Sequence, residues 1–297
     1  MPQVYFEEIE CKTALNQVHA PGLSFRWTLN PYRGCQHACV YCFARGTHGF
    51  LGYDGGRDFE QRVIVKVNAP EALRRDLARP TWRRELVGIG TACDPYQQAE
   101  LKYGITRKSL QVMVDFANPV SLVTKSPNVV RDVDVLQALS SVAETSVAFS
   151  VSTLDEDVWR RIEPETAMPR KRLEAMTRLA EAGVRTGVLL APILPGITDD
   201  PASLEAVVRA AADHGASFIG DVVLHLKPGT KEWFLPFLRE AYPHLQERYA
   251  KYYRGAYAPG SYTREVHAFV RRLKERFGMA AREAAPAPPR GQLQLVM

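Results

Sequence analysis

Three cysteines, Cys35, Cys39 and Cys42, lie within eight consecutive residues of a chain that has only five cysteines. Thiolates are soft ligands that select zinc, copper(I) or iron–sulfur clusters. Three protein ligands leave one coordination position open, and an open position is typical of metal centres that do chemistry, whereas structural zinc sites are closed by four ligands. The spacing therefore predicts a reactive metal centre.

An iron–sulfur cluster fits this spacing better than a structural zinc ion does. Structural zinc sites usually need a second ligand pair downstream, and the sequence has no second CxxC or HxxxH pair. Iron–sulfur clusters commonly take closely spaced cysteines from one loop. Zinc stays open as the alternative, with single candidates for a fourth ligand at His37, His48, Cys11 and Cys93.

The CxxxCxxC run, with the aromatic Tyr41 directly before its last cysteine, resembles the signature of the radical S-adenosylmethionine (SAM) superfamily. The resemblance implies that Cys35, Cys39 and Cys42 hold three irons of a 4Fe-4S cluster and that SAM chelates the fourth iron. It also implies reductive cleavage of SAM to a 5′-deoxyadenosyl radical, which takes hydrogen from a substrate. An external one-electron reductant of the flavodoxin or ferredoxin type is then a required partner.

The composition is that of a large folded unit. With 297 residues, 46% of them apolar, the chain can bury a substantial α/β core. No apolar run reaches the roughly 18 residues of a membrane span, and the first residues lack the regions of a signal peptide. Because the odd cysteine number also argues against a secreted disulfide framework, we expect a soluble, cytoplasmic protein without a membrane partner.

Strand-like and helix-like runs alternate along the chain, which is typical of a parallel sheet. Six candidate strands span residues 23–29, 85–91, 120–125, 146–152, 185–191 and 217–226. Helix starts such as Asp200-Pro201 and helix-ending glycines, Gly183 and Gly215, separate several of them. The pattern predicts an α/β fold, a partial (β/α)6 TIM-like barrel; a closed eight-stranded barrel and an open doubly wound sheet are the alternatives.

The barrel interpretation implies four segments. We expect an N-terminal extension over 1–22, the barrel over 23–228, a helical C-terminal region over 229–280 that packs on it, and a disordered proline-rich tail over 281–297.

Functional groups of parallel barrels collect at the carboxyl ends of the strands. Lys125 follows the third candidate strand, where its cation would suit a carboxylate or phosphate; a solubilising surface charge is the alternative. His225 ends the sixth strand between Leu224 and Leu226, where a core or rim role is equally plausible. Both are candidate catalytic residues.

The resemblance also assigns cofactor contacts, with Tyr41 among them because of its place in the motif. The second strand usually contacts the SAM amino group through a Gly-Gly-Glu run, which this chain lacks. Thr91 and Asp94 are the candidate substitutes, although Asp94 also starts a common turn.

Further cofactor contacts come by resemblance from the fourth and fifth strands. Ser150 or Ser152 and a following basic residue, for which Arg161 is the candidate, would bind the SAM ribose and carboxylate. Ile193 belongs to the turn APILPGITD, which resembles the loop that packs against adenine in the superfamily.

The runs NPYRGCQHACVYCFAR, DPYQ, TKS, IEPET and APILPGITD resemble the spore photoproduct lyase-like branch, whose members are often labelled DNA repair photolyases. The resemblance covers residues 23 to 275. Spore photoproduct lyase returns a hydrogen atom to its product radical from a cysteine outside the cluster motif. Cys93 is the candidate counterpart here, and a small buried hydrophobic role is the alternative.

The charge distribution makes DNA or RNA a candidate partner. The net charge of +5 is mild, but basic residues cluster at Arg74–Arg84, and basic and aromatic residues interleave between Tyr249 and Lys274. Solvated helix faces would give the same pattern. Two functions therefore stand: a radical SAM enzyme acting on a nucleic-acid lesion, or a metal-stapled nucleic-acid-binding protein without catalysis.

Overall fold

The computed structural model of the protein describes residues 3–19 and 24–283. Within these ranges the strands are β1 (Tyr5–Ile9), β2 (Leu15–Gln17), β3 (Trp27–Leu29), β4 (Tyr32–Arg33), β5 (Arg62–Lys66), β6 (Val87–Ile89), β7 (Val120–Thr124), β8 (Thr145–Ser150), β9 (Arg185–Ile193) and β10 (Phe218–Val223). The α-helices are α1 (Arg57–Gln61), α2 (Ala69–Leu77), α3 (Gln98–Tyr103), α4 (Ile105–Asp115), α5 (Val133–Val142), α6 (Glu156–Ile162), α7 (Pro169–Glu181), α8 (Pro201–Asp213), α9 (Lys231–Ala241), α10 (Gln246–Tyr252), α11 (Gly260–Arg276) and α12 (Met279–Glu283). The 3-10 helices span Phe43–Leu51, Pro127–Asp132 and Pro243–Leu245.

The main sheet contains all six predicted strands. Its order is β10-β9-β8-β7-β6-β3-β2, and every neighbouring pair is parallel except the antiparallel pair β2 and β3. Helices follow the strands, as in βα units. The predicted α/β fold is confirmed as a mostly parallel sheet consistent with a partial TIM-like barrel, and the described strands do not close into a full barrel.

The central strands are buried on both faces. Val147 and Phe149 of β8 are fully buried in the main core, and the intervening Ala148 is also buried. This is expected of parallel strands that lie between other layers of the fold. The helix boundaries follow the sequence signals: the Asp200 side chain accepts a hydrogen bond from Ser203 N at 2.9 Å, and Gly183 ends α7 with a φ of 81°.

A second, three-stranded sheet lies beside the main one and was not expected from the sequence. Its order is β1-β5-β4, with β1 and β5 parallel and β4 antiparallel to β5. It contributes Tyr32, Val63 and Val65 to a buried apolar group that also contains Cys35 and Cys93. The small sheet therefore supports the cysteine loop from one side.

The C-terminal helices cover the β10 edge of the main sheet. Ile219 N donates to Glu283 Oε1 at 2.8 Å, and Lys274 Nζ donates to the Ile219 carbonyl at 2.8 Å. These side chains satisfy backbone groups that an edge strand otherwise leaves unpaired.

The predicted division into four segments stays a prediction. Helix α12 extends to Glu283, into the first residues of the predicted tail, and the remainder of that tail lies outside the described residues. None of the helices in the described ranges is long and apolar enough to cross a membrane.

Candidate active site

The three clustered cysteines lie on a loop that begins near the carboxyl end of β3. Cys35 and Cys39 are buried, whereas Cys42 is half-buried and directly precedes the 3-10 helix Phe43–Leu51. The carboxyl ends of the other parallel strands meet at the same edge of the sheet. The loop therefore occupies the mouth of the partial barrel, the position at which barrel enzymes carry their functional groups.

Backbone geometry and two glutamines hold the start of this loop. Gly34 has a φ of 80°, and a β-carbon there would lie 2.6 Å from the Arg62 carbonyl oxygen, so the turn requires glycine. Gln97 accepts from Gln36 N at 3.0 Å and donates to the Gly34 carbonyl at 3.1 Å. Gln36 in turn accepts from Ala99 N at 2.9 Å. The loop is thus fastened to the segment after β6.

Asp94 joins that segment to the residues after β7. Its carboxylate accepts hydrogen bonds from Thr124 Oγ1 at 2.7 Å, Lys125 N at 2.6 Å and Tyr96 N at 2.9 Å, and lies 3.3 Å from His37 Nδ1. Burial by itself raises the pKa of Asp94, but His37 and the donated hydrogen bonds outweigh it and lower this pKa to about 2. Both carboxylate oxygens are therefore engaged by the protein itself.

Tyr41 is held in a buried polar network. Its hydroxyl donates to Glu163, and it lies 3.5 Å from Ser152 Oγ. Glu163 forms a fully buried ion pair with Arg172. Burial by itself raises the pKa of Glu163, but Arg172 and Lys125 outweigh that effect and lower it. The carboxylate therefore stays ionised and fixes the residue next to Cys42.

Lys125 lies at the mouth close to this network. Its ammonium is 5.6 Å from the centre of the Tyr41 ring, and the residue is half-buried. Burial alone would lower the pKa of Lys125, but its electrostatic interactions with Cys39 and Glu163 outweigh burial and raise this pKa above its ordinary value. The geometry therefore supplies a permanent cation beside the cysteine loop.

The donor set fits a cluster that takes three thiolates from one loop. Burial raises the pKa of Cys39 to about 12, and Cys42 adds to that rise; burial also raises the pKa of Cys35 well above its ordinary value, and Asp94, Cys42 and Cys39 raise it further. The thiols therefore influence one another, and metal binding would release their protons. No three His, Cys, Asp or Glu side chains in the described ranges form a site for one metal ion. Each cysteine of a cluster binds a different iron, so convergence on one point is not required.

The residues predicted to contact SAM differ in how deeply they are buried in the protein. The Thr91 hydroxyl pairs with the Asn30 side chain at 3.2 Å, and the hydroxyls of Ser150 and Ser152 both donate to the Ala191 carbonyl, at 2.8 and 3.1 Å. Ile193 is fully buried in the main core. These residues line strand ends at the same edge of the sheet as the cysteine loop.

Arg161 and His225 are exposed. The Arg161 guanidinium lies 5.8 Å from the centre of the Tyr242 ring. The His225 ring meets Tyr257 edge-on with 4.7 Å between ring centres. Partial desolvation of the ring by its neighbours, and then the nearby Lys227 charge, lower the pKa of His225. His225 therefore lies with Tyr257 just after the carboxyl end of β10, at the edge of the mouth.

Cys93 is 5% exposed and lies in the buried group that includes Cys35 and Cys42. Burial raises the pKa of its thiol to about 12, an effect that nearby Lys66 reduces only in part. The residue is therefore a neutral thiol in the same apolar group as two of the three cluster candidates. Both a hydrogen donor and a small core residue fit this placement.

The run Arg74–Arg84 and the first part of the second basic region, around Tyr257, lie at opposite ends of the parallel strands. The run Arg74–Arg84 begins in the last turn of α2 and leads towards the amino end of β6; within it, Trp82 contacts Trp27 with ring centres 5.5 Å apart. Arg74 pairs with Asp115, and Arg79 pairs with Asp76 at 2.7 Å. The segment around Tyr257 instead lies at the mouth, because Leu226 N donates to the Ala256 carbonyl at 2.8 Å.

Three polar residues that hold the site together have no role predicted from the sequence. Glu163, Gln97 and Arg45 all contact the cysteine loop or its neighbours. Glu163 lay within the IEPET run and Arg45 within the CFAR run, so their presence in those runs was the available signal. Their partners lie far away in the sequence and could not be identified from it.

The chain is similar to proteins of known family and fold. The profile of the Radical SAM superfamily matches residues 29–207. An uncharacterised protein of Mycobacterium tuberculosis is 39% identical over 295 residues, which cover 99% of this chain and 86% of that protein.

Two solved structures of spore photoproduct lyase share the fold at 18% identity. The enzyme complexed with dinucleoside spore photoproduct has a TM-score of 0.70, over 92% of this chain and 79% of that chain. A variant with bound AdoMet and dinucleoside spore photoproduct has a TM-score of 0.66, over 86% of this chain and 75% of that chain.

Proposed function

This chain belongs to the radical SAM superfamily, and from that membership we propose that it uses the SAM-derived radical to act on a nucleic-acid lesion, as a lyase of the DNA-repair type. Its cofactors are a 4Fe-4S cluster and SAM, which the family uses. The observation that carries the proposal is the loop with Cys35, Cys39 and Cys42 at the mouth of the sheet, beside the cation of Lys125.

The cysteines are the proposed cluster ligands, and the neighbouring residues are proposed to bind SAM. When bound and reduced by one electron from a flavodoxin- or ferredoxin-type donor, the cluster supplies the electron that breaks the C5′–S bond of SAM. Lys125 is suited to the SAM carboxylate because its charge is permanent and lies next to Tyr41. Ser152 and Arg161 are proposed for the ribose and carboxylate, and Ile193 for the floor of the adenine pocket.

Thr91 and Asp94 are proposed to act on this pocket through the backbone around it. Asp94 holds Lys125 N at 2.6 Å, and Thr91 bonds Asn30 at the start of the cysteine loop. Both residues therefore fix the strand ends between which SAM would lie.

Cys93 is the proposed hydrogen-atom donor to the substrate radical. Its S–H bond would break as a C–H bond forms on the substrate, and the remaining thiyl radical would be restored by one electron from the reductant and one proton. Cys93 lies in the same buried group as Cys35 and Cys42, which supports the assignment. We expect Cys93→Ala to cleave SAM and lose repaired product, whereas the matched Cys11→Ala keeps both; unchanged product from Cys93→Ala would refute the role.

The rim of the mouth supports a nucleic-acid substrate. We define the rim as His225, Lys227, Arg254 and Tyr257. Its two aromatic rings offer a surface on which a base can stack. Its two cations, Lys227 and Arg254, are exposed and suit phosphates. From Arg248 to Arg264 the chain has four basic and no acidic residues. The fold shared with spore photoproduct lyase in its dinucleoside complex adds further support.

The first experiment tests the chemistry. Anaerobic reconstitution with iron and sulfide should give a brown protein that, after reduction, converts SAM to 5′-deoxyadenosine, and a variant lacking Cys35, Cys39 and Cys42 should not. Tight zinc binding without SAM cleavage would instead favour a metal-stapled nucleic-acid-binding protein.

The second experiment tests the substrate. The loaded enzyme is incubated with SAM, reductant and either dinucleoside spore photoproduct or a UV-irradiated oligonucleotide, and products are followed by mass spectrometry. We expect the enzyme to convert a lesion and to leave undamaged DNA unchanged. If the enzyme cleaves SAM but neither lesion stimulates this cleavage and neither lesion is converted, the nucleic-acid substrate is refuted. The family assignment is then unaffected.

A further inference from the structure

Arg45 is a fully buried arginine three residues after Cys42, on the 3-10 helix Phe43–Leu51. Removing a charge from water is strongly unfavourable unless hydrogen bonds and an opposite charge compensate it. A buried guanidinium beside a metal-ligating loop therefore calls for a physical reason beyond packing.

The guanidinium binds two separate pieces of backbone. On one side, Nη2 donates to the Cys39 carbonyl at 2.9 Å and the Ala38 carbonyl at 3.2 Å, and Nε donates to the Cys39 carbonyl at 3.1 Å. On the other side, Nη1 donates to the carbonyls of Gly55 and Gly56, each at 3.1 Å. Arg45 thus connects the turn before Cys39 with the segment after the 3-10 helix.

The turn that Arg45 binds is strained. Ala38 has a φ of 53°, a left-handed conformation that costs about 1–2 kcal/mol for a residue with a β-carbon. This residue directly precedes Cys39, so its conformation sets the direction in which Cys39 leaves the loop. The hydrogen bonds from Arg45 to both carbonyls offset the strain.

The same guanidinium is packed between two aromatic rings and paired with one acid. It lies 4.7 Å from the centre of the Trp233 ring, on α9, and 5.3 Å from that of Phe59. Its ion-pair partner is Glu60, whose side chain is 20% exposed. The loop before α9 also holds the cysteine loop directly, because Thr230 Oγ1 donates to the Cys42 carbonyl at 3.2 Å.

We propose that Arg45 is a positioning residue for the cluster, which fixes the Ala38–Cys39 turn and, through its charge, raises the reduction potential of the cluster. Net charge and hydrogen bonding around a cluster set its potential. The reduced cluster carries one more negative charge than the oxidised one, so a buried cation favours reduction and the Glu60 anion opposes it. The inference rests on the cluster of the proposed function and is independent of its substrate.

Three variants separate geometry from charge. Arg45→Lys keeps the charge but cannot reach both carbonyl pairs, so we expect it to lose iron to a chelator about 10-fold faster. Arg45→Gln also removes the charge, so its remaining cluster should have a lower midpoint potential. Glu60→Gln keeps Arg45 and removes the opposing anion, so its potential should rise. Arg107→Gln, a half-exposed arginine on α4, is the control.

The measurements are iron and sulfide per chain, the rate of iron loss, and potentiometric titration followed by electron paramagnetic resonance. Opposite shifts of potential in Arg45→Gln and Glu60→Gln, with no shift in Arg107→Gln, support the inference, because loss of structure alone would not give opposite signs. Unchanged potential in Glu60→Gln, or wild-type iron retention in Arg45→Lys, refutes it. A wild-type protein that assembles no cluster would instead refute the proposed function.

Discussion

Asp94 connects several separate segments of the chain at the mouth. It accepts hydrogen bonds from Thr124, Lys125 and Tyr96 and faces His37, so one carboxylate joins the cysteine loop to the segments that follow β6 and β7. Glu163 has the same function on the other side, between Tyr41 and Arg172. Such groups are effective because each donor would otherwise be buried without a partner.

Asp94 should make the stability of the metal-free protein depend on pH. Its pKa is lowered from 3.8 to about 2 on folding, so the stabilisation is fully present above about pH 4 and is lost as the pH falls towards 2. This shift corresponds to about 2 kcal/mol. Urea unfolding should therefore show a difference between wild type and Asp94→Asn that narrows by about two thirds of this amount from pH 6 to pH 2.5. A difference that is constant with pH would contradict the assigned pKa.

Glu163→Gln should strongly destabilise the metal-free protein. The substitution leaves the buried Arg172 charge uncompensated, which costs about 3–5 kcal/mol for a buried pair. Glu156→Gln is the matched control, because its partner Arg160 is exposed and such pairs contribute at most about 1 kcal/mol. Urea unfolding at pH 7 measures both. Equal effects would show that the Glu163–Arg172 pair is not the source of stability.

The cysteine loop takes its shape from short elements. The partners that stabilise these elements lie elsewhere in the sequence. Strand β4 has two residues and exists because Tyr32 and Arg33 pair with Val65 and Ile64 of β5. The loop then turns at Gly34 against the Arg62 carbonyl. The parallel strands, by contrast, formed where the hydrophobic runs predicted them.

Gly34→Ala should disturb the loop far more than an equivalent change nearby. The added β-carbon meets a backbone oxygen at 2.6 Å, in addition to the left-handed strain at φ 80°. Gly52 has a φ of 77° with open space around it, so Gly52→Ala should cost only about 1 kcal/mol. We expect Gly34→Ala to retain less iron after reconstitution and to unfold at lower urea. Similar iron content and stability in both variants would show that the loop shifts freely.

At the scale of the whole molecule, the Arg74–Arg84 run and the rim residues lie at opposite ends of the parallel strands. The Arg74–Arg84 run lies at the amino ends of the strands, whereas the rim lies at the carboxyl ends with the cysteine loop. A nucleic acid whose reacting base enters the mouth should therefore contact the rim.

Lys227→Ala and Arg254→Ala should each weaken binding of a single-stranded oligonucleotide. Each lost phosphate contact should reduce the slope of log affinity against log salt by about 0.7. Arg75→Ala and Arg84→Ala, exposed arginines at the opposite end, should leave affinity and slope unchanged. Fluorescence anisotropy between low and moderate salt measures all four. The reverse ranking would place the nucleic-acid surface at the amino ends.

The sequence by itself determined the cofactor chemistry and the main sheet. Three cysteines on one loop, and apolar runs long enough to form buried strands, are local properties that need no knowledge of distant contacts. Family, fold class and cofactors were accordingly predicted correctly.

Only the tertiary structure decided which side chains hold the site together. Tyr41 and Glu163 are 122 residues apart, and Gln36 and Gln97 are 61 residues apart. It also placed His225 on the rim and Cys93 in a buried group with two cluster candidates. A polar side chain gives no sign in the sequence of the partner that will satisfy it, because that partner is chosen by how the layers pack.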